Sequence, residues 1–266
     1  MMIDVANIPA SPPSGRETIC VVIDVLRASS TITYLFDKGT QEVWLTDAVG
    51  TFLNKAHAFG DNLKVCAEDV SGHCLLGADF SPSLDDISSN NLVFSGPILM
   101  QTTNGTKAVH KILDYGMNIV LVGCMRNATS VMEVALKLAE ERNRDIYIVC
   151  AGRDYATSYS IDDVYCAGYL VRTAQTIAKQ KGVTLSLNDS AKLACIVLDS
   201  FPNAVEAFHS SASGYVMRSI NKSSDVVLCA QTDVSCAVPI LKGKTKDGFL
   251  RIVLLNGSRV FVDERS

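Results

Sequence analysis

ICVVIDVLRASS, residues 19–30, carries no charged residue until Asp24, and then presents Arg27, Ser29 and Ser30 in quick succession. Side chains branched at Cβ are stiff and suit a pleated surface better than a helix. An apolar run without alternation marks a strand buried on both faces, as in a parallel sheet sandwiched by helices. Working outward, the same kind of run recurs at 42–45, 63–67, 91–96, 118–123, 145–152 and 225–230. Between these runs lie amphipathic stretches of helical length at 29–38, 47–59, 105–115, 128–142, 159–180 and 189–199. Strands alternating with helices predict an α/β fold, a three-layer α/β/α arrangement with mostly parallel strands.

Two segments qualify that picture. FLRIVLLNGSRVFVDE (249–264) alternates around Asn256-Gly257, which predicts a C-terminal β-hairpin over 246–264, at an edge or as a flap. SSTITYLFDKGTQEVWL (29–45) and GTKAVHKILDYGMNIVLVG (105–123) both read as helix, glycine stop, strand. This echo fits either two similar interleaved lobes or the ordinary grammar of an α/β chain. The organisation expected is a single domain over 1–266, with a core from about 19 to 240.

Composition narrows the function. Hydrophobic residues make up 48% of the 266 residues and charged residues 20%, enough apolar surface for a sizeable core without disulfide or structural metal. The net charge of −4 and scattered Lys and Arg argue against nucleic acid as a partner. No run reaches membrane-spanning length, and the first residues lack the pattern of a secretory leader. The nine cysteines form no CxxC pair and read as free thiols in a reducing compartment, the cytoplasm.

Ligands of open α/β sheets bind beyond the carboxyl ends of strands. The residues delivered there are Asp24 and Arg27; Glu68; Thr102, Thr103, Asn104, Gly105 and Thr106; and Cys150, Ser160, Asp162 and Asp163. Together they suit a phosphate ester. TTNGT before a helix offers amides, hydroxyls and a positive dipole end to an anion, with Gly105 allowing close approach. Arg27 suits a bidentate oxyanion clamp. Asp24, Glu68, Asp162 and Asp163 are hard oxygen donors of the kind that hold Mg²⁺. Each residue also has a plainer reading: Asp24 as a turn residue, TTNGT as a capped turn, Asp162 and Asp163 as dipole-favoured acids, Cys150 as a buried small hydrophobe. The four histidines show no ligand spacing, and Cys-x₅-Arg, DxDxT, P-loop and GxGxxG patterns are all absent.

VVIDVLRASSTI (21–32), CAED (66–69), TTNGTKAV (102–109), IVCAG (148–152), SIDDVYCAG (160–168), NDSAKLA (188–194) and DVVLCAQTDVSCAVP (225–239) stand in collinear order. In this order they resemble the 2-phosphosulfolactate phosphatase family over about residues 19–240. The resemblance implies Mg²⁺-dependent hydrolysis of (2R)-phospho-3-sulfolactate to 3-sulfolactate and phosphate, in sulfonate metabolism including coenzyme M biosynthesis. It implies a homo-oligomer acting on a small anionic phosphoester, with Asp24, Arg27, Glu68, Cys150 and Asp162 as catalytic candidates. Arg27, Thr102 to Thr106 and Ser160 are the phosphate-binding candidates, and Asp24, Glu68, Asp162 and Asp163 the metal ligands. The chain departs from the family pattern at GADFSPSLDD (77–86), where the Asn of a Gly-Asn-Ser-Pro segment is missing, and at Ser213-Gly214, where the family often has His-Gly. It also lacks a basic residue soon after Glu68. These departures define the alternative, an anion-binding or regulatory homologue of weak or no activity. A haloacid-dehalogenase-like phosphatase is a further reading, suggested by the Thr-Asn-Gly turn.

Overall fold

The computed structural model describes residues 1–12, 17–47, 62–90, 92 and 94–255. In chain order the elements are β1 (Met2–Ala6), β2 (Thr18–Ile23), α1 (Ala28–Asp37), β3 (Glu42–Leu45), β4 (Lys64–Ala67), α2 (Leu84–Ser89), β5 (Ile98–Gln101), α3 (Gly105–Asp114) and β6 (Ile119–Val122). A short 3₁₀ turn at Met125–Asn127 leads into α4 (Ala128–Arg142), followed by β7 (Asp145–Cys150), α5 (Ile161–Lys181), β8 (Ser186–Leu187) and α6 (Asp189–Asp199). The chain continues through α7 (Ala204–Ser210), α8 (Ala212–Ser219), α9 (Ser223–Cys229), β9 (Pro239–Lys244) and β10 (Leu250–Leu254). The helix read over 47–59 lies outside the described residues apart from its first position.

One ten-stranded sheet runs β4-β5-β3-β10-β9-β6-β2-β7-β1-β8. The block β4-β5-β3 is parallel, and so is the block β6-β2-β7-β1-β8. The antiparallel strands β9 and β10 join the two. The strand period of two explains the three layers. Ile19, Val21 and Ile23 of β2 pack with α4, α5 and α6 on one face. Cys20 and Val22 pack with α1 and α3 on the other. Three reversals of direction separate the blocks, so they run formally opposite ways. Sheet twist of roughly 20–25° per strand then accumulates over the five steps from β5 to β2. The carboxyl ends of β2, β4, β5 and β7 meet as a result.

Several expectations change. Residues 225–230 are helical, not a strand: Val226 and Cys229, three apart, are buried while Val227 faces out. The strand placed at 91–96 lies beyond Pro97, at Ile98–Gln101, and Phe94 packs on Phe80 at 5.5 Å between ring centroids instead. The C-terminal pair is antiparallel, but β10 lies inside the sheet between β3 and β9 rather than at an edge. Its turn falls at 245–249, where Gly248 takes φ +88°, and Asn256-Gly257 lies outside the described residues. The helix–glycine–strand echo holds locally, with Gly39 (φ +92°) after α1 and Gly116 (φ +82°) after α3.

Candidate active site

Asp24 follows the last residue of β2 and is almost fully buried. Its carbonyl accepts the Ser29 N–H and the Ser29 hydroxyl, both at 2.8 Å, which turns the chain directly into α1. The Leu26–Arg27 peptide in this turn is cis. The Asp24 carboxylate accepts the N–H groups of Ala28 and Gly105, the first residues of α1 and α3. Two helix N-termini, each carrying partial positive charge, therefore point at one acid. Gly105 is required there by close packing: a Cβ on it would lie 2.6 Å from Asp24 Oδ2 and 2.7 Å from the Ala28 Cβ.

The TTNGT turn is built around the same acids. Thr102 and Thr106 exchange hydrogen bonds, Thr102 N–H to Thr106 Oγ1 at 3.1 Å and Thr106 N–H to Thr102 Oγ1 at 3.3 Å. The Thr103 N–H donates to Glu68 Oε1 at 3.3 Å. The amides assigned to phosphate from the sequence are thus engaged by Asp24, Glu68 and a hydroxyl. The reason is electrostatic: a carboxylate already stands where the helix dipole would hold an external anion. The turn's half-buried side chains are Thr103 and Asn104. Thr103 Oγ1 donates to the Asp69 carbonyl at 3.4 Å, and Asn104 Oδ1 accepts the Tyr155 N–H at 3.1 Å.

Arg27 also departs from its expected part. Its guanidinium is buried, with Nη1 donating to Asp225 Oδ2 at 3.0 Å and Nη2 to Glu68 Oε2 at 2.9 Å and the Gly72 carbonyl at 2.7 Å. Both terminal nitrogens hold the protein's own acids, so the bidentate phosphate clamp read from the sequence is not formed. Nε is buried without a partner among the described residues. Asp225, fully buried, additionally accepts the Ser83 hydroxyl at 3.1 Å and the Asp85 N–H at 3.0 Å. Sequence reading missed Asp225 because it lay inside a supposed strand. The signal was available: Ser-Ser-Asp before an apolar run is a helix-start pattern.

The amino end of α5 supplies the remaining acids. Asp162 is surrounded by the hydroxyls of Ser160, Ser211 and Ser213. Ser160 donates to it and lies 3.2 Å from the Ser213 hydroxyl. Asp163 accepts the Val25 N–H at 2.8 Å and the Gly152 N–H at 3.0 Å, one on each oxygen. It braces the ends of β2 and β7 rather than facing a ligand. Cys150, the last residue of β7, is completely buried in the core on the α4–α6 side, and burial pushes its thiol far up. It offers no exposed nucleophile.

Burial, then the nearby charges of Glu68 and Asp162, push Asp24 up to about 7 despite the amides that favour its ionised form. Burial likewise raises Asp162, and burial with the neighbouring Asp162 and Asp24 raises Asp163. Such uncompensated negative charge is what a hard divalent cation relieves, and the donors are the carboxylate oxygens Mg²⁺ prefers. No three Asp, Glu, His or Cys side chains among the described residues converge closely enough to form a metal cage by themselves.

A cleft of about 190 Å³ opens over this cluster, with Glu68, Thr103, Asn104, Arg153 and Ser213 among its polar lining and Leu26 and Met217 among its apolar walls. Asp24 and Asp162 do not line it directly and lie beneath. A larger cleft of about 690 Å³ lies elsewhere, beside the starts of β2 and β7. Its lining includes the Arg144–Glu17 ion pair. It lies at the other edge of the strands from the acids, and the smaller cleft is the one that adjoins them.

Fold and site together define an α/β protein with a small, acid-floored cleft at converging strand ends. The model of the 2-phosphosulpholactate phosphatase family matches residues 6–244, and the chain belongs to that family. It is 28% identical over 232 residues to a "Probable 2-phosphosulfolactate phosphatase" of Thermus thermophilus, covering 87% of this chain and 91% of the relative. Proteins carrying the same printed name are similar in Deinococcus radiodurans (31% over 230 residues, 86% of this chain and 90% of the relative) and Clostridium botulinum (30% over 228 residues, 86% and 90%).

Proposed function

We propose that this chain is a Mg²⁺-dependent phosphatase that hydrolyses the phosphomonoester of 2-phosphosulfolactate, or of a similarly small and highly charged ester. The observation that carries the reading is the buried Asp24, fixed by two helix ends and flanked by Glu68 and Asp162, beneath a cleft of metabolite size. Family membership supports the substrate class. Asp24 and Asp162 are the residues that would hold Mg²⁺, whose chemistry when bound is neutralisation of phosphoryl charge and activation of water.

The chain's own groups account for positioning. Arg27, locked between Asp225 and Glu68, fixes the Glu68 carboxylate at the cleft floor. Glu68 is then placed to take a proton from an attacking water. Water is the nucleophile in this reading, because the Cys150 thiol is enclosed and neutral. Leu26, Val216 and Met217 limit solvent around the ester. Nine free cysteines suit a reducing interior, so we place the protein in the cytoplasm. No described helix is long and apolar enough to cross a membrane. Exposed Leu193 and Ile196, three apart on α6, offer the apolar surface for a homo-oligomer.

The test is phosphate release from 2-phosphosulfolactate and from p-nitrophenyl phosphate, with Mg²⁺ and with EDTA. Turnover that needs Mg²⁺ and is lost in Asp24→Asn is expected. No release from either ester, with thermal stabilisation by phosphate or sulfonates alone, would establish the anion-binding reading instead.

A further inference from the structure

We infer that Arg153 is the specificity determinant of this cleft, receiving the second anionic group, carboxylate or sulfonate, of a phosphomonoester whose phosphoryl group lies toward Asp24. The inference rests on the phosphatase reading and assigns the part of the substrate that does not react.

Arg153 is the cation that lines the cleft, among the described residues. Arg27 cannot serve, since both terminal nitrogens of its guanidinium are bonded to the protein. No hydrogen bond or ion pair among the described residues uses the Arg153 guanidinium, although the side chain is half-buried. A half-buried cation with five unfilled donors, facing a cleft that otherwise contributes Glu68 and Asp154, is arranged for an incoming anion. Arginine's planar fork matches the paired oxygens of carboxylate or sulfonate better than a lysine would.

The backbone around it is fixed rather than loose. Arg153 N–H donates to the Ser158 carbonyl at 2.8 Å, and Ser158 N–H returns to the Arg153 carbonyl at 3.0 Å. The loop between them holds three successive non-glycine residues at positive φ: Asp154 (51°), Tyr155 (61°) and Ala156 (62°). Such a conformation persists only when its surroundings hold it. Here α3 does so. Lys111 Nζ donates to the Ala156 carbonyl at 3.0 Å and to that of Tyr155 at 3.3 Å, Asn104 accepts the Tyr155 N–H, and Lys107 lies 3.8 Å from the Tyr155 ring centroid. The helix whose amino end fixes Asp24 therefore also fixes the loop that presents Arg153. Reacting end and recognition end are set by one element.

The experiment compares Arg153→Ala and Arg153→Lys with wild type on 2-phosphosulfolactate and on p-nitrophenyl phosphate, which lacks the second anion. Expected for Arg153→Ala is a fall in kcat/KM of ~10–100-fold on 2-phosphosulfolactate, mostly in KM, with p-nitrophenyl phosphate unchanged and partial recovery in Arg153→Lys. Equal losses on both esters, or none on either, would overturn the inference. If wild type hydrolyses neither ester, the phosphatase reading fails on its own, and 3-sulfolactate binding decides this point. A thermal shift in wild type that Arg153→Ala loses supports it, and any other result overturns it.

Discussion

Gly105→Ala separates the site's geometry from the protein's stability. The added methyl would lie 2.6 Å from Asp24 Oδ2, 2.7 Å from the Ala28 Cβ and 3.2 Å from the Asp24 Cβ. Carbon atoms rest at roughly 3.5–4.0 Å, so α1 and α3 must part, or Asp24 must shift, by about 1 Å. Overpacking of this kind costs about 1–3 kcal/mol. Replacing a helical glycine with alanine returns about 1 kcal/mol. The net loss is therefore about 0–2 kcal/mol, lowering Tm by a few degrees, roughly 2–4 °C per kcal/mol. Activity should suffer far more, since a misplacement of about 1 Å in a reacting group costs on the order of 100-fold. The assay is kcat/KM for phosphate release well below the variant's Tm, with Tm from calorimetry. A folded Gly105→Ala protein with wild-type kcat/KM would refute the placement of Asp24 at the reacting centre.

Three other expectations follow from the same contacts. Asp24 is raised by burial and its acidic neighbours from 3.8 to about 7, worth roughly 4 kcal/mol at most; that stability is fully present below about pH 4 and lost as pH rises through about 7, so urea titrations in EDTA should show the metal-free protein weakening across this window and Asp24→Asn weakening less, and a flat wild-type profile would contradict the burial described. Asp225→Ala leaves Arg27 half-paired in the core and should cost about 3–5 kcal/mol in denaturant titrations; a loss below about 1 kcal/mol would mean that the Glu68–Arg27–Asp225 chain does not hold Glu68. Cys150→Ala should keep kcat within about two-fold while losing on the order of 1 kcal/mol of packing, and a folded variant that is inactive would restore the covalent route.

The sequence was most legible where physics left one choice. The strands β2, β6 and β7 are buried on both faces, so their Val/Ile runs stand out without reference to partners. Val226-Val227-Leu228-Cys229 was too short to separate a strand from a buried helix turn, and only the burial of Val226 and Cys229 with Val227 exposed resolves it. β1 was hidden by Asp4, an acid inside MIDVA, which is tolerated because the Val5 N–H and the Ser190 hydroxyl satisfy it. In the site, Asp24, Glu68 and Asp162 were visible as acids at strand and helix ends, and they do come together. What Arg27 touches was not visible, because Asp225 lies 198 residues away in sequence. Arg153 was visible as a charge after β7, but that its guanidinium has no partner among the described residues is a fact of three-dimensional packing alone.

The charges of the site explain why two arginines at neighbouring strand ends take different parts. Glu68 and Asp225 together neutralise Arg27 and leave one negative charge in excess. Asp24 and Asp162 stand beside it: burial raises both, and for Asp24 the charges of Glu68 and Asp162 raise it further. A phosphoester dianion meeting that floor unaided would face repulsion in a poorly solvated cleft, where such interactions are stronger than in water. A substrate anionic at both ends would therefore need positive charge from elsewhere at each. Over the acids, a hard divalent cation would answer the charge of the phosphoryl group. At the opposite end, the proposed recognition group is Arg153, the cation of the lining left unpaired among the described residues. The TTNGT amides fit the same logic: they hold Asp24 and Glu68 in place and so are not free to grip a phosphate themselves.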